Sequence, residues 1–253
     1  MKRLLTAAVA IPLVILITIY SPPWAFAGVI GIVAAAAADE FLSLGMKKGI
    51  GRPQRWFLIL PALVSASFSG GSDWVVKAAI GASLVLMIKT VFKPSIDTAL
   101  GEVAIGLGSL VYCALTLGVL ILMQRPAILL LFAIIWVGDS AAYYGGRALG
   151  RHLLAPRVSP KKTVEGAVAG LLGSVIVGVI GGKWALDQEW TRLIVLSALT
   201  AVAGQVGDLA ESVLKRSAGV KDSSSILPGH GGILDRLDSL FFAAPVFYWL
   251  LNA

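Results

Sequence analysis

Charge is scarce in this chain. Only 14% of its 253 residues are Asp, Glu, Lys or Arg, 57% are hydrophobic, and the mean hydropathy is +0.87. A soluble domain carries about 25% charged residues, so the scarcity excludes an ordinary water-solvated surface and indicates a polytopic membrane protein. Cysteine is scarcer still: the single Cys113 rules out an intrachain disulfide, and its apolar surroundings mark a small core residue. The chain lacks a convincing internal repeat, which disfavours repeat-built transporters. It also lacks a low-complexity tail and any soluble stretch large enough to fold alone. The net charge of +7 would suggest nucleic acid in a soluble protein. In a membrane protein, loop lysines and arginines on the cytoplasmic side account for it, and no nucleic-acid partner is expected.

What is abundant is apolar sequence in runs of spanning length. A window of about 19 residues predicts about nine transmembrane helices, near 4–20, 24–44, 56–69, 74–92, 104–123, 127–144, 163–183, 193–214 and 237–252. Helices are the only reading, because isolated strands cannot satisfy their backbone in lipid. Lys2 and Arg3 followed by an apolar run resemble a signal peptide, with Ala25-Phe26-Ala27 as a cleavage site. The run is too long for a signal core and is followed at once by another, so it is expected to be the first span. With the N-terminus inside, only Lys77, Arg125, Lys183 and Arg192 of the 21 basic residues fall on the far side. That asymmetry predicts a cytoplasmic N-terminus. Small residues over 28–38 and 166–170 permit close helix packing in lipid.

Against this background, residues 212–238 concentrate both signs of charge between two apolar segments. They include Lys215, Arg216, Lys221, Asp222, His230, Asp235, Arg236 and Asp238. Cations with carboxylates suggest phosphates with a divalent metal: Mg²⁺ takes a few carboxylates plus phosphate oxygens, and Lys and Arg neutralise the remaining charge. Pro228-Gly229-His230-Gly231-Gly232 is a turn of little bulk that lets backbone N–H groups approach an anion, and it runs into a helix N-terminus. Asp235 and Asp238, spaced i, i+3, share a helix face and could reach one cation. The simpler alternative is a polar loop whose aspartates cap the last helix.

These residues resemble the signature of the phosphatidate cytidylyltransferases, the CDP-diacylglycerol synthases. Its pattern of Ser, Lys-Arg, Lys-Asp, His-Gly-Gly and Asp-Arg-x-Asp is met by Ser212, Lys215-Arg216, Lys221-Asp222, His230-Gly231-Gly232, Asp235-Arg236 and Asp238. The resemblance implies CTP and phosphatidate as substrates, Mg²⁺ with room for a second cation, and a homodimer. It also gives a role to two further segments. Gly138-Asp139-Ser140 is similar to a family segment, which raises Asp139 above a packing residue. Ser159-Pro160-Lys161-Lys162-Thr163 is similar to a family run that contacts nucleotide or phosphate; without the family it reads as a positive-inside loop. Locally, Ser159-Pro160 predicts a helix start, with Lys161 and Lys162 beside it.

Asp208, Glu211, Ser212 and Lys215 form one polar stripe on the eighth span. Asp208 is therefore a third candidate metal ligand, the alternative being an Asp208–Lys215 ion pair. Asp39 and Glu40 end the second span, and snorkelling to the interface is the favoured reading, with a place in a polar cavity as the other. His152 is expected to be solvated, and His230 to contact substrate or assist proton transfer.

The expectation is thus an all-α, polytopic helical bundle. It forms one integral membrane domain over 1–253, with a cytoplasm-facing catalytic region from about 136–166 and 204–239. Lys215, Arg216, Lys221, His230 and Arg236 are the candidate catalytic residues. Ser159, Lys161, Lys162, Thr163, Ser212, Gly231 and Gly232 would bind substrate, and Asp139, Asp208, Asp235 and Asp238 would hold metal. The expected location is the cytoplasmic (inner) membrane. A CTP-dependent lipid-alcohol kinase and a cation-coupled transporter are the alternatives.

Overall fold

The computed structural model describes residues 2–93, 96–226 and 231–253. Its helices are α1 (Lys2–Tyr20), α2 (Pro23–Lys47), α3 (Arg55–Gly70), α4 (Ser72–Val91), α5 (Ala99–Leu122), α6 (Arg125–Leu149), α7 (Val164–Leu186), α8 (Trp190–Ser217) and α9 (Leu234–Asn252). Among the described residues, six of them, α2 and α4 to α8, are long and apolar enough to cross a membrane. The other three occupy the remaining expected positions. Helix α3 is short, and α9 opens on Asp235, Arg236 and Asp238.

The chain divides into two compact units. The first comprises Met1–Leu122 and Leu214–Leu237. Its core joins Leu42 of α2, Phe57 and Val64 of α3, Ala82 and Leu86 of α4, and Leu110 and Ala114 of α5. Helix α5 widens to π geometry through Leu110–Leu115, which disturbs the regular carbonyl pairing of an α-helix. Ser65 on α3 uses the opening, its Oγ donating to the Ala114 carbonyl at 2.7 Å. Cys113 lies in this segment and is fully buried, as its apolar context predicts.

The second unit comprises Met123–Val213 and Asp238–Ala253. Helices α6 and α7 pack along a seam of small residues in which Gly138, Gly166, Gly170 and Ser174 are buried, a means of close approach where lipid offers no hydrophobic drive. Ser174 Oγ donates to the Ile134 carbonyl at 2.8 Å across the seam, and Gln205 Nε2 of α8 donates to the Ala167 carbonyl of α7 at 3.0 Å.

One segment departs from the all-helical expectation. Ser159–Thr163 is a strand, β2, paired antiparallel with β1 (Leu153–Ala155), with Leu153 opposite Thr163 and Ala155 opposite Ser159. Helix α7 therefore starts at Val164 and not at Ser159-Pro160. Thr163 is its N-cap, with Oγ1 accepting the Gly166 N–H at 3.1 Å. A proline fixed near φ −65° suits an extended edge as well as a first helical turn, and the cap falls to Thr163, four residues after Ser159. Thr163→Ala is expected to cost about 1 kcal/mol, read as a lowered unfolding temperature in detergent, with Thr163→Ser close to the parent.

Candidate functional site

In the first unit the loop after α8 is tied down by two buried carboxylates. Asp235, in the first turn of α9, accepts from Lys215 Nζ at 2.6 Å through Oδ1. Its Oδ2 accepts from Ser223 N at 2.9 Å, Ser223 Oγ at 2.8 Å and Gly232 N at 2.8 Å. The lysine and aspartate side chains are 11% and 5% exposed. Asp235 therefore does more than cap a helix: it holds a buried cation and both ends of the loop.

The second carboxylate is Glu40 of α2, 2% exposed. It accepts from Ser223 Oγ, Ser224 Oγ, Ile233 N and Leu234 N at 2.7–3.0 Å. The expected drift of Glu40 toward the interface is thus not what the structure shows. The N-terminal amides of α9, read from sequence as a place for a ligand anion, are taken by this internal carboxylate. Asp39, its neighbour, turns instead to Arg52. Gly232 is required by the same packing, because a Cβ there would collide with Glu40 and Ser223. Gly231 takes φ +80°, a left-handed conformation natural to glycine. Arg216, Lys221 and Asp222 are exposed around this loop, with Arg216 Nη1 donating to the Val220 carbonyl at 3.1 Å. Arg236 is exposed on the first turn of α9. Pro228, Gly229 and His230 lie outside the described residues.

In the second unit, Lys162 of β2 pairs with Asp208 of α8, Nζ to Oδ2 at 2.5 Å. The expected alternative partner, Lys215, is engaged by Asp235. Ser212 Oγ stands 3.5 Å from Asp208 Oδ1. Gly207 lets the backbone of α9 come close: a Cβ on it would stand 2.6 Å from the Asp238 carbonyl oxygen. Asp238 consequently sits in the field of Asp208, buried Glu211 and Asp139. Asp139 is exposed on α6, Lys161 is exposed on β2, and Ser159 and Thr163 are partly covered. His152 is largely exposed as expected, yet it is not merely solvated: Nδ1 lies 2.6 Å from Glu165 Oε1.

Among the described residues, no group of three or more His, Cys, Asp or Glu side chains forms a ready-made metal cage. The donor set nevertheless suits Mg²⁺, which is held through one or two carboxylates and completes its shell with phosphate oxygens and water. Asp208, Glu211 and Asp139 lie in the field of Asp238, and carboxylates are the protein donors such a cation takes.

Sequence reasoning had underrated Glu40 and passed over Ser223 and Ser224. The signal for Glu40 was present, since an ionisable group inside an apolar span is a functional candidate by default. Ser223 and Ser224 carried none, being two of three consecutive serines in a polar loop.

Helices of membrane-crossing length, a buried Asp235 paired with Lys215, a buried Glu40 held by loop hydroxyls and amides, and an Asp208 paired with Lys162 of the hairpin are the features of a helical membrane protein that keeps charged groups among apolar helices. The chain belongs to the cytidylyltransferase family, whose sequence profile matches residues 1–253. It is similar to a Staphylococcus haemolyticus protein named phosphatidate cytidylyltransferase, 36% identical over 232 residues and 87% of each chain. A protein of the same name from Staphylococcus saprophyticus is 35% identical over 237 residues, again 87% of each chain. Another from Synechocystis is 48% identical over 125 residues, 49% of this chain and 42% of that protein.

Proposed function

We propose that the chain transfers the CMP moiety of CTP to phosphatidate, giving CDP-diacylglycerol and pyrophosphate in phospholipid synthesis. The observation that carries this reading is the Lys162–Asp208 pair. It joins the Ser-Pro-Lys-Lys-Thr run, which the family resemblance links to nucleotide or phosphate, to the polar stripe of α8, which helical spacing marks as a source of metal ligands. The relatives named above act on phosphatidate by name.

In the reaction, a phosphate oxygen of phosphatidate attacks the α-phosphorus of CTP. A new P–O bond forms as the α–β anhydride bond breaks, and pyrophosphate leaves with that electron pair. The attacking phosphomonoester is already largely anionic near neutral pH, its second pKa being about 6. No strong general base is needed, and positioning with charge neutralisation dominates. Lys161 and Lys162 of the second unit would neutralise phosphate charge, and in the first unit Arg216, Lys221 and Arg236 are the candidates for that role. Asp208 and Asp238, with Asp139 nearby, would hold Mg²⁺, which when bound supplies Lewis-acid neutralisation of phosphoryl oxygens. Asp235 enters as the anchor of Lys215 and the loop, its oxygens already accepting from protein donors. The basic-residue asymmetry supports a cytoplasmic N-terminus and a cytoplasmic supply of CTP in the inner membrane. Homodimeric assembly, implied by the resemblance, belongs to the same proposal.

The purified chain is expected to release pyrophosphate only when CTP and phosphatidate are both present. Release of CDP in place of pyrophosphate would favour the lipid-alcohol kinase.

A further inference from the structure

We propose that Glu40 is a positioning residue for the reaction: a carboxylate on α2 that clamps both ends of the loop between α8 and α9 and so holds that loop in working geometry. The catalytic consequence rests on the cytidylyl-transfer reading, whereas the clamping itself rests on geometry alone. Oε1 accepts from Ser224 Oγ at 2.7 Å and from Ile233 N at 3.0 Å. Oε2 accepts from Ser223 Oγ at 2.7 Å and from Leu234 N at 2.8 Å. Each oxygen thus takes one hydroxyl from the beginning of the loop and one amide from its end. A carboxylate offers about four lone-pair directions; Ser224 Oγ, Ile233 N and Leu234 N take three of them, and Ser223 Oγ takes the fourth when its proton points to Glu40, which leaves little capacity for a metal or a proton-transfer role. Its charge is balanced by the amides of a helix N-terminus.

The clamp also reaches the signature aspartate. Ser223 Oγ lies 2.7 Å from Glu40 Oε2 and 2.8 Å from Asp235 Oδ2. A hydroxyl has one proton to donate, so Ser223 serves one carboxylate at a time and couples Glu40 to the Asp235–Lys215 pair. Displacing Glu40 would therefore shift Ser223, and with it Asp235, Lys215 and the exposed Lys221 that the loop carries. Gly232 fits the same design, since any Cβ there would strike Glu40.

Glutamine is nearly isosteric but keeps only one acceptor oxygen, and its NH₂ would face an amide N–H that needs an acceptor. Glu40→Gln is expected to lower kcat by about a hundredfold, the scale of a displaced catalytic group, with a much smaller change in KM for CTP. Glu40→Asp, shorter but still an acceptor at both oxygens, should recover part of the loss. Asp39→Asn, which touches Arg52 and not the loop, should match the parent. A nitroxide on Ser225→Cys gives a readout independent of turnover, because the native Cys113 is buried. The label should be restrained in the parent and mobile in Glu40→Gln. If Glu40→Gln does not fold, Ser224→Ala removes one donor and should loosen the label with a smaller fall in kcat. A folded Glu40→Gln protein with parental kcat, or with an unchanged label spectrum, overturns the proposal. A parent that makes no CDP-diacylglycerol while the label still loosens in Glu40→Gln leaves the clamp standing and removes the cytidylyl-transfer reading.

Discussion

Asp238→Asn should abolish most product formation, by about a thousandfold, while leaving the protein at least as stable as the parent. The loss in rate is on the scale seen when a preorganised electrostatic contact to a phosphoryl or oxyanion centre is removed. The stability follows from the neighbours. Asp238 is desolvated by its surroundings and lies in the field of Asp208, Glu211 and Asp139, and desolvation and like charges both disfavour its ionised form. Neutralising one of them relieves repulsion in the absence of a cation. Activity and unfolding temperature should therefore move in opposite directions. Raising Mg²⁺ should stabilise the parent more than the variant, because binding to the folded state stabilises by mass action. A variant that loses activity and unfolding temperature together would instead mark Asp238 as a packing residue.

Lys215→Met should have the largest effect on stability. Lys215 and Asp235 meet at 2.6 Å with both side chains largely buried. Removing one partner of a buried pair leaves an uncompensated charge and costs about 3–5 kcal/mol. Ser223 and Gly232 still donate to Asp235, which places the expected cost toward the lower end. The double variant Lys215→Met with Asp235→Asn should regain much of that stability, since the stranded charge is gone, and should stay inactive. Chemical unfolding of parent, singles and double as a cycle measures the coupling directly. Additive losses would show that the pair is not a unit.

Much of this was legible in sequence because lipid narrows the choices. Apolar runs located the helices among the described residues, six of them long and apolar enough to cross a membrane, and the charge cluster at 212–238 located the loop. The failures have physical causes. Ser159-Pro160 looked like a helix start because proline's fixed φ serves an extended edge equally well, and pairing with Leu153–Ala155 decided the matter. Glu40 looked like an interfacial residue because no local pattern shows that two serines and two amides, far along the chain, will converge on it. The glycines at 231 and 232 were read as room for a ligand, whereas at Gly232 the space is needed for Glu40 itself. Partner choice within the polar stripe was equally invisible. Helical spacing put Asp208 and Lys215 on one face, yet Lys162 and Asp235 take them separately.

The most direct test of cytidylyl transfer uses CTP labelled at the α-phosphate and, in parallel, at the γ-phosphate. Purified chain, phosphatidate micelles and Mg²⁺ would be incubated with each and the products partitioned into chloroform. Cytidylyl transfer predicts α-label in a phosphatidate-dependent lipid product and γ-label only in aqueous pyrophosphate. Lipid labelled from the γ-position alone, or no lipid label from either in folded protein that binds CTP, would contradict it.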